Sequence, residues 1–212
     1  MKDKKRKTDI NFEPLPLPSA EDKLFDKAED WWHNACLNYV HDGWSPYVIG
    51  YKDAADILVA HVIENRRSQD TLVYPILFLY RQYLELAIKN LIHKGRKLQD
   101  IHERIPKGHM INDLWKICEK LLNDISPCDS VKEIEQINRL ISEFCSVDPK
   151  STAFRYPEDK EGKPSLPGIT HINIMNVRDV IGKISVILNG ADAQLSEYLS
   201  IKADISSDRY DL

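Results

Sequence analysis

Apolar residues recur at spacings of three and four along most of this chain, the period of helices that bury one face. The first stripe, Phe25, Ala28, Trp32, Ala35, Cys36 and Tyr39, predicts a helix opening near Ser19, an N-cap residue type with Glu21 and Asp22 just behind it. A second stripe is cleaner: Tyr51, Ala54, Ala55, Leu58, Val59, Val62 and Ile63 share one face. HDGWSP at 41–46 separates the two as a turn. The segment 69–94 differs in kind, because TLVYPILFLYRQYLELAIKNLI is apolar nearly all round. Such a helix is buried on every side, so it is expected at the centre, with Pro75 in its first turns or at a kink. Leu84, Leu86, Ile88 and Leu91 lie on different faces of it, and all four are expected in the core.

Three further stripes follow. Ile111, Leu114, Trp115, Cys118, Leu121 and Leu122 predict a helix over about 109–124. Val131, Ile134, Ile137, Leu140, Ile141 and Phe144 predict one over about 130–145, with Ser130 as N-cap and Glu133 completing a capping box. Val177, Ile181, Ile184, Leu188, Ala191, Leu195 and Tyr198 predict a long last helix over about 173–200, capped by Asn173. There is no internal repeat and no βαβ alternation. The expected fold is an all-α bundle of five or six helices, a single helical domain over 19–212. Residues 1–18 precede it as a basic, disordered tail and a Pro-rich strap, PLPLP at 14–18.

Two connections are too long to be mere turns, and loops of that length are usually functional or disordered. One is HKGRKLQDIHERIPKGH at 93–109. The other runs from Ser146 to Ile172, with four prolines and two glycines, and its segments FRYP and GITHI are compatible with a small hairpin.

Composition narrows the class. With 42% apolar and 29% charged residues over 212 positions, collagen, a disulfide scaffold and wholesale disorder are excluded. The longest apolar run, Leu72 to Tyr80, is nine residues and contains Pro75, against the roughly 20 needed to cross a bilayer. No signal peptide or membrane association is expected. Cys36, Cys118, Cys128 and Cys145 lack CxxC spacing, so they read as free thiols of a reducing, cytoplasmic compartment. Residues 1–7 carry five basic side chains against one acidic, a net +4, which leaves the rest with 24 basic and 32 acidic, a net −8. A body at −8 is a poor global partner for a phosphate backbone, so any nucleic-acid contact must use a local patch.

Candidate chemistry gathers in the two loops and on the central helix. The first loop holds Lys94, Arg96, Lys97, Arg104 and Lys107 with His93, His102 and His109, and it leads into a helix N-terminus. Backbone N–H groups and the helix dipole favour an anion there, such as a phosphate or RNA backbone; the alternative is a solvated basic loop with His109 helping to cap the helix. No HxxxH pair, Gly-rich phosphate loop or GxSxG elbow is present, so no metal and no cofactor is implied. On the central helix Arg81, Glu85 and Lys89 are spaced by four and share one face. A carboxylate on an otherwise apolar helix needs a cation. Arg155, between Phe154 and Tyr156 in the second loop, is the expected partner, because a cross-helix guanidinium can engage Glu85 bidentately. Arg155 is therefore expected within reach of Glu85 or close to His109.

These residues resemble a known family. YRQYLELAIKNLI at 80–92 is similar to the second helix of HEPN domains (higher eukaryotes and prokaryotes nucleotide-binding), with Gln82, Glu85 and Lys89 in its pattern. HMINDLWKI at 109–117 resembles the following helix start, and FRYPED at 154–159 resembles the segment before the family's last long helix. The resemblance covers roughly 47–200. It implies a helical bundle that commonly dimerises, acting as an RNase in toxin–antitoxin or antiviral defence systems or, without the nuclease motif, as a binding or partner subunit. The nuclease members carry R-x4-6-H near a late helix; here no histidine follows Arg155 until His171. Arg104–His109 and Arg96–His102 fit the spacing but lie in the first loop. Three readings stay open: a HEPN-like partner module that binds RNA or nucleotide, with a homodimer and an antitoxin or defence protein as partners; an active, metal-independent endoribonuclease; and an unrelated helical interaction domain. The candidate binding residues are Arg81, Glu85, Arg104, His109, Arg155 and Tyr156. Trp31, Trp32, Trp44 and Tyr47 are a further expected cluster, at least one of them packing in a homodimer interface or under the strap.

Overall fold

A computed structural model describes residues 16–37, 43–125 and 131–208, and the side chains of 131–133 are outside that description. The chain divides into two compact units, residues 1–41 and 42–212.

In the first unit, the helix expected from Ser19 does not form. A single 3-10 turn, Trp31–His33, stands in its place, and nothing in residues 16–37 is buried. The short polar side chains explain why, because Ser, Asp and Asn satisfy the backbone locally instead of leaving it to helix bonds. Asp30 Oδ1 accepts from the Trp32 N–H, and the Asn34 amide donates to the carbonyls of Ala28 and Asp30. Ser19 does accept from the Glu21 N–H, but it caps a turn with no helix behind it. Trp31 and Trp32 stack on each other at 4.4 Å and are largely exposed. Tyr39 lies outside the described residues.

The second unit is all-α, with five helices among the described residues: α1 Ser45–Asn65, α2 Gln69–Leu98, α3 Ile111–Ile125, α4 Val131–Val147 and α5 Ile174–Asp208. Pro46 opens α1, and Arg66 in the left-handed region closes it. Asn173 caps α5 by accepting from the Asn176 N–H at 3.1 Å. Ser130 lies outside the described residues. α2 packs against α1, α3 and α5, and α3 against α4. Tyr80, Tyr83, Leu84, Ile88, Leu91 and Ile92 of α2 are all buried at the centre. Leu86 is the exception to the sequence reading: it is only half-buried, on the one strip of α2 that the neighbours leave open. Pro75 sits in the second turn of α2, where it removes one backbone bond without ending the helix.

Two boundaries move. α2 runs on to Leu98, so His93, Lys94, Arg96 and Lys97 are helical and the basic loop begins at Gln99. The segments FRYP and GITHI do not pair as a hairpin. One antiparallel bridge, Glu158 with Pro164, joins residues between them. Trp44, half-buried, stacks on His93 at 6.2 Å.

Candidate functional site: a buried charge cluster and the arginine beside it

The polar residues of α2 form a closed cluster. Glu85 has both carboxylate oxygens engaged: Oε1 accepts from Lys89 Nζ at 2.8 Å and lies 2.8 Å from His109 Nδ1, while Oε2 accepts from Arg81 Nη1 at 3.0 Å. Arg81 is fully buried and spends its other nitrogens elsewhere. Nη2 donates to the His109 carbonyl at 2.6 Å, and Nε donates to the Asp148 carbonyl at 3.3 Å with the Asp148 carboxylate 3.5 Å away. Two cations and two carboxylates thus balance out of water, the condition under which buried charge is tolerated. Burial alone would raise the Glu85 carboxyl, but hydrogen bonds from Lys89, His109 and Arg81 outweigh it and hold the group below its ordinary value.

The partner expected for Glu85 is corrected here. Arg81 and Lys89, one turn away on either side, supply the positive charge, and Arg155 forms no ion pair with Glu85. Residues four apart on a helix are neighbours, so a carboxylate flanked on both sides needs no cation from another element. Asp148, which the sequence reading did not single out, is the cross-element member. Its Oδ1 accepts the N–H groups of Thr152 and Ala153 at 2.8 and 3.1 Å.

Arg81 therefore fastens three parts of the chain: α2, the approach to α3 at His109, and the turn after α4 at Asp148. What reaches solvent from this frame is His109 and Arg155. The His109 side chain is 68% exposed, and a carboxylate on Nδ1 makes that nitrogen the donor; in the neutral ring Nε2 is then the acceptor. Phe154 is buried edge-on against Phe144 at 6.2 Å, which fixes the strand of chain that carries Arg155 and Tyr156 outward. The backbone carbonyl of Ser151, a residue at φ 61 in the Asp148 turn, accepts from Arg155 Nε at 2.5 Å. The guanidinium carbon lies 5.6 Å from the centres of both the Phe78 and Tyr156 rings. The two terminal nitrogens of Arg155 have no hydrogen-bond or salt-bridge partner among the described residues.

The basic loop is less of an anion site than its composition suggests. Lys94 pairs with Asp192 at 2.7 Å, and Arg96 pairs with Glu103 at 3.0 Å and donates to the Arg104 carbonyl. Lys97, Arg104 and Lys107 remain exposed. Asp113 stands in the first turn of α3, so the dipole there already faces a carboxylate. His109 turns its ring to Glu85 rather than to that helix end. No helix among the described residues is long and apolar enough to cross a membrane. Compared with family models, with curated proteins and with solved structures, the chain matches none.

Proposed function

We propose that this chain is a HEPN-like binding or partner module of a toxin–antitoxin or antiviral defence system, cytoplasmic and homodimeric, that binds RNA or nucleotide without cleaving it. The observation that carries the reading is Arg155. Its guanidinium is exposed, fixed through Nε, flanked by two aromatic rings, and has its terminal nitrogens available to a phosphate. Such a group is pre-organised for bidentate anion recognition. Arg81, by contrast, is sealed inside the cluster and has no nitrogen left for a substrate. That supports a binding role over a nuclease built on the α2 residues. The test is a titration of end-labelled single-stranded RNA with the full chain, resolved on native and denaturing gels. A shift with intact RNA is the expected result, and the absence of any shift together with no binding of a labelled nucleotide would refute the proposal.

One observation favours the second reading, a metal-independent endoribonuclease. Glu85 orients His109 through Nδ1 and leaves Nε2 to exchange a proton with a 2′-hydroxyl or a leaving oxygen, with Arg104 five residues before it in the sequence. RNA cleavage that persists in chelator and disappears in His109→Ala would establish that reading in place of the first.

A further inference from the structure

Beside Arg155 lies a cavity of about 530 Å3, whose lining includes Tyr74, Phe154, Arg155, Tyr156, Leu166 and Ile169. Its size is that of a small-molecule site, roughly 300–1,000 Å3. Its walls are held in place by hydrogen bonds. The Ser165 N–H donates to the Pro157 carbonyl and the Asp159 N–H to the Lys163 carbonyl, both at 2.9 Å. Asp159 Oδ1 accepts from the N–H groups of Glu161 and Lys163, which ties that oxygen into the loop. Tyr74 and Tyr156 are 49% and 56% exposed, so part of each side chain is open to solvent.

We infer that this cavity is a subsite for one nucleotide unit, a base stacked on its tyrosines with a single phosphate on the terminal nitrogens of Arg155. The inference rests on the RNA- or nucleotide-binding reading above and specifies what that site takes. Three features select this ligand. Exposed aromatic rings offer a face to any base, and base–aromatic stacking is a main source of affinity at such sites. A planar guanidinium already fixed at Nε presents its other nitrogens as a fork for phosphate oxygens. Finally, the surrounding chain is electrically neutral. Asp148 is spent on Arg81, and between 149 and 165 Lys150, Lys160 and Lys163 are matched by Glu158, Asp159 and Glu161, which leaves Arg155 as the unmatched charge. A groove that tracks a phosphate backbone needs a run of unmatched cations. One unengaged guanidinium in a neutral frame suits one phosphate.

A free nucleotide and the 5′ end of an RNA strand share this chemistry, and the experiment separates them. Adenosine monophosphate, adenosine, and one RNA octamer with and without a 5′-phosphate are titrated by calorimetry against the full chain and against Tyr74→Ala, Tyr156→Ala and Tyr156→Phe, each first checked by thermal melting. The expected result is binding of the monophosphate, at least tenfold weaker binding of adenosine, a roughly tenfold loss in each alanine variant, and retention in Tyr156→Phe. Binding of the monophosphate alone identifies a free nucleotide as the ligand. Preference for the phosphorylated octamer over its hydroxyl form, with competition by the monophosphate, identifies an RNA end. If the octamers bind equally and the tyrosine variants bind them like wild type, the subsite is overturned while RNA binding stands. If neither octamer nor nucleotide binds, both fall.

Discussion

The Glu85 carboxylate and the His109 imidazole, twenty-four residues apart in sequence, meet at 2.8 Å on the border between the buried cluster and solvent. The two ends of this contact differ in what they support. Glu85 neutralises Arg81 and Lys89 inside the bundle, whereas His109 is mostly in water. Glu85→Ala leaves the buried Lys89 without its carboxylate and Arg81 with Asp148 alone, and should cost about 3–5 kcal/mol in urea unfolding. His109→Ala should cost about 1 kcal/mol or less. Equal losses in the two variants would mean that the cluster is not the frame described here.

The same carboxylate predicts a pH dependence. Its folded pKa lies below the ordinary value of about 4.5, so the unfolded chain takes up this proton first as pH falls. The stability it contributes is fully present above the unfolded value and is lost as pH drops through the lower folded one. Urea midpoints measured from pH 6 downward should decline through this window. In Glu85→Gln the decline should be shallower, since that group no longer titrates. Identical slopes would assign the acid sensitivity to other carboxylates.

Burial along α2 sets up a comparison between neighbours. Leu84→Ala removes a side chain 1% exposed and should cost about 2–5 kcal/mol. Leu86→Ala, at a half-buried position, should cost distinctly less, measured under the same conditions.

The contrast between α2 and residues 16–37 shows what the pattern of side chains can carry. α2 was legible because its apolar residues cover every face, and only a central position satisfies such a segment. The stripe from Phe25 to Tyr39 has helical spacing too, but Asp30 and Asn34 offer the backbone local bonds that periodicity ignores. In the site, the need of Glu85 for a cation follows from its apolar setting, and spacing alone places Arg81 and Lys89 beside it. Asp148 was not legible in the same way. It lies 67 residues from Arg81, and its sequence signal, an Asp before Pro149 and a Ser-Thr pair, marks a turn without saying which side chain the turn will meet.

Thiol reactivity should follow burial. Cys118 and Cys145 are buried, and burial raises both thiols above their ordinary pKa, which keeps them as the unreactive protonated form. Cys36 is exposed. Maleimide labelling of the native chain, mapped by mass spectrometry, should find Cys36 modified and Cys118 and Cys145 protected until denaturant is added. Rapid native labelling of Cys118 would contradict the packing of α3 against α2.

The central claim is that a closed internal cluster ties α2 to the segments before α3 and after α4 while Arg155 is left to bind. Replacing Arg155 with Lys keeps the charge but removes the planar fork, and it breaks no bond of the Glu85 cluster. Fluorescence anisotropy of labelled single-stranded RNA and of a labelled nucleotide, read alongside the melting temperature, compares Arg155→Lys with wild type. The account predicts that the variant melts within a few degrees of wild type and binds at least tenfold more weakly. An unchanged affinity, or a wild-type chain that binds neither ligand while the variant loses stability, would contradict it and leave Arg155 a purely structural residue.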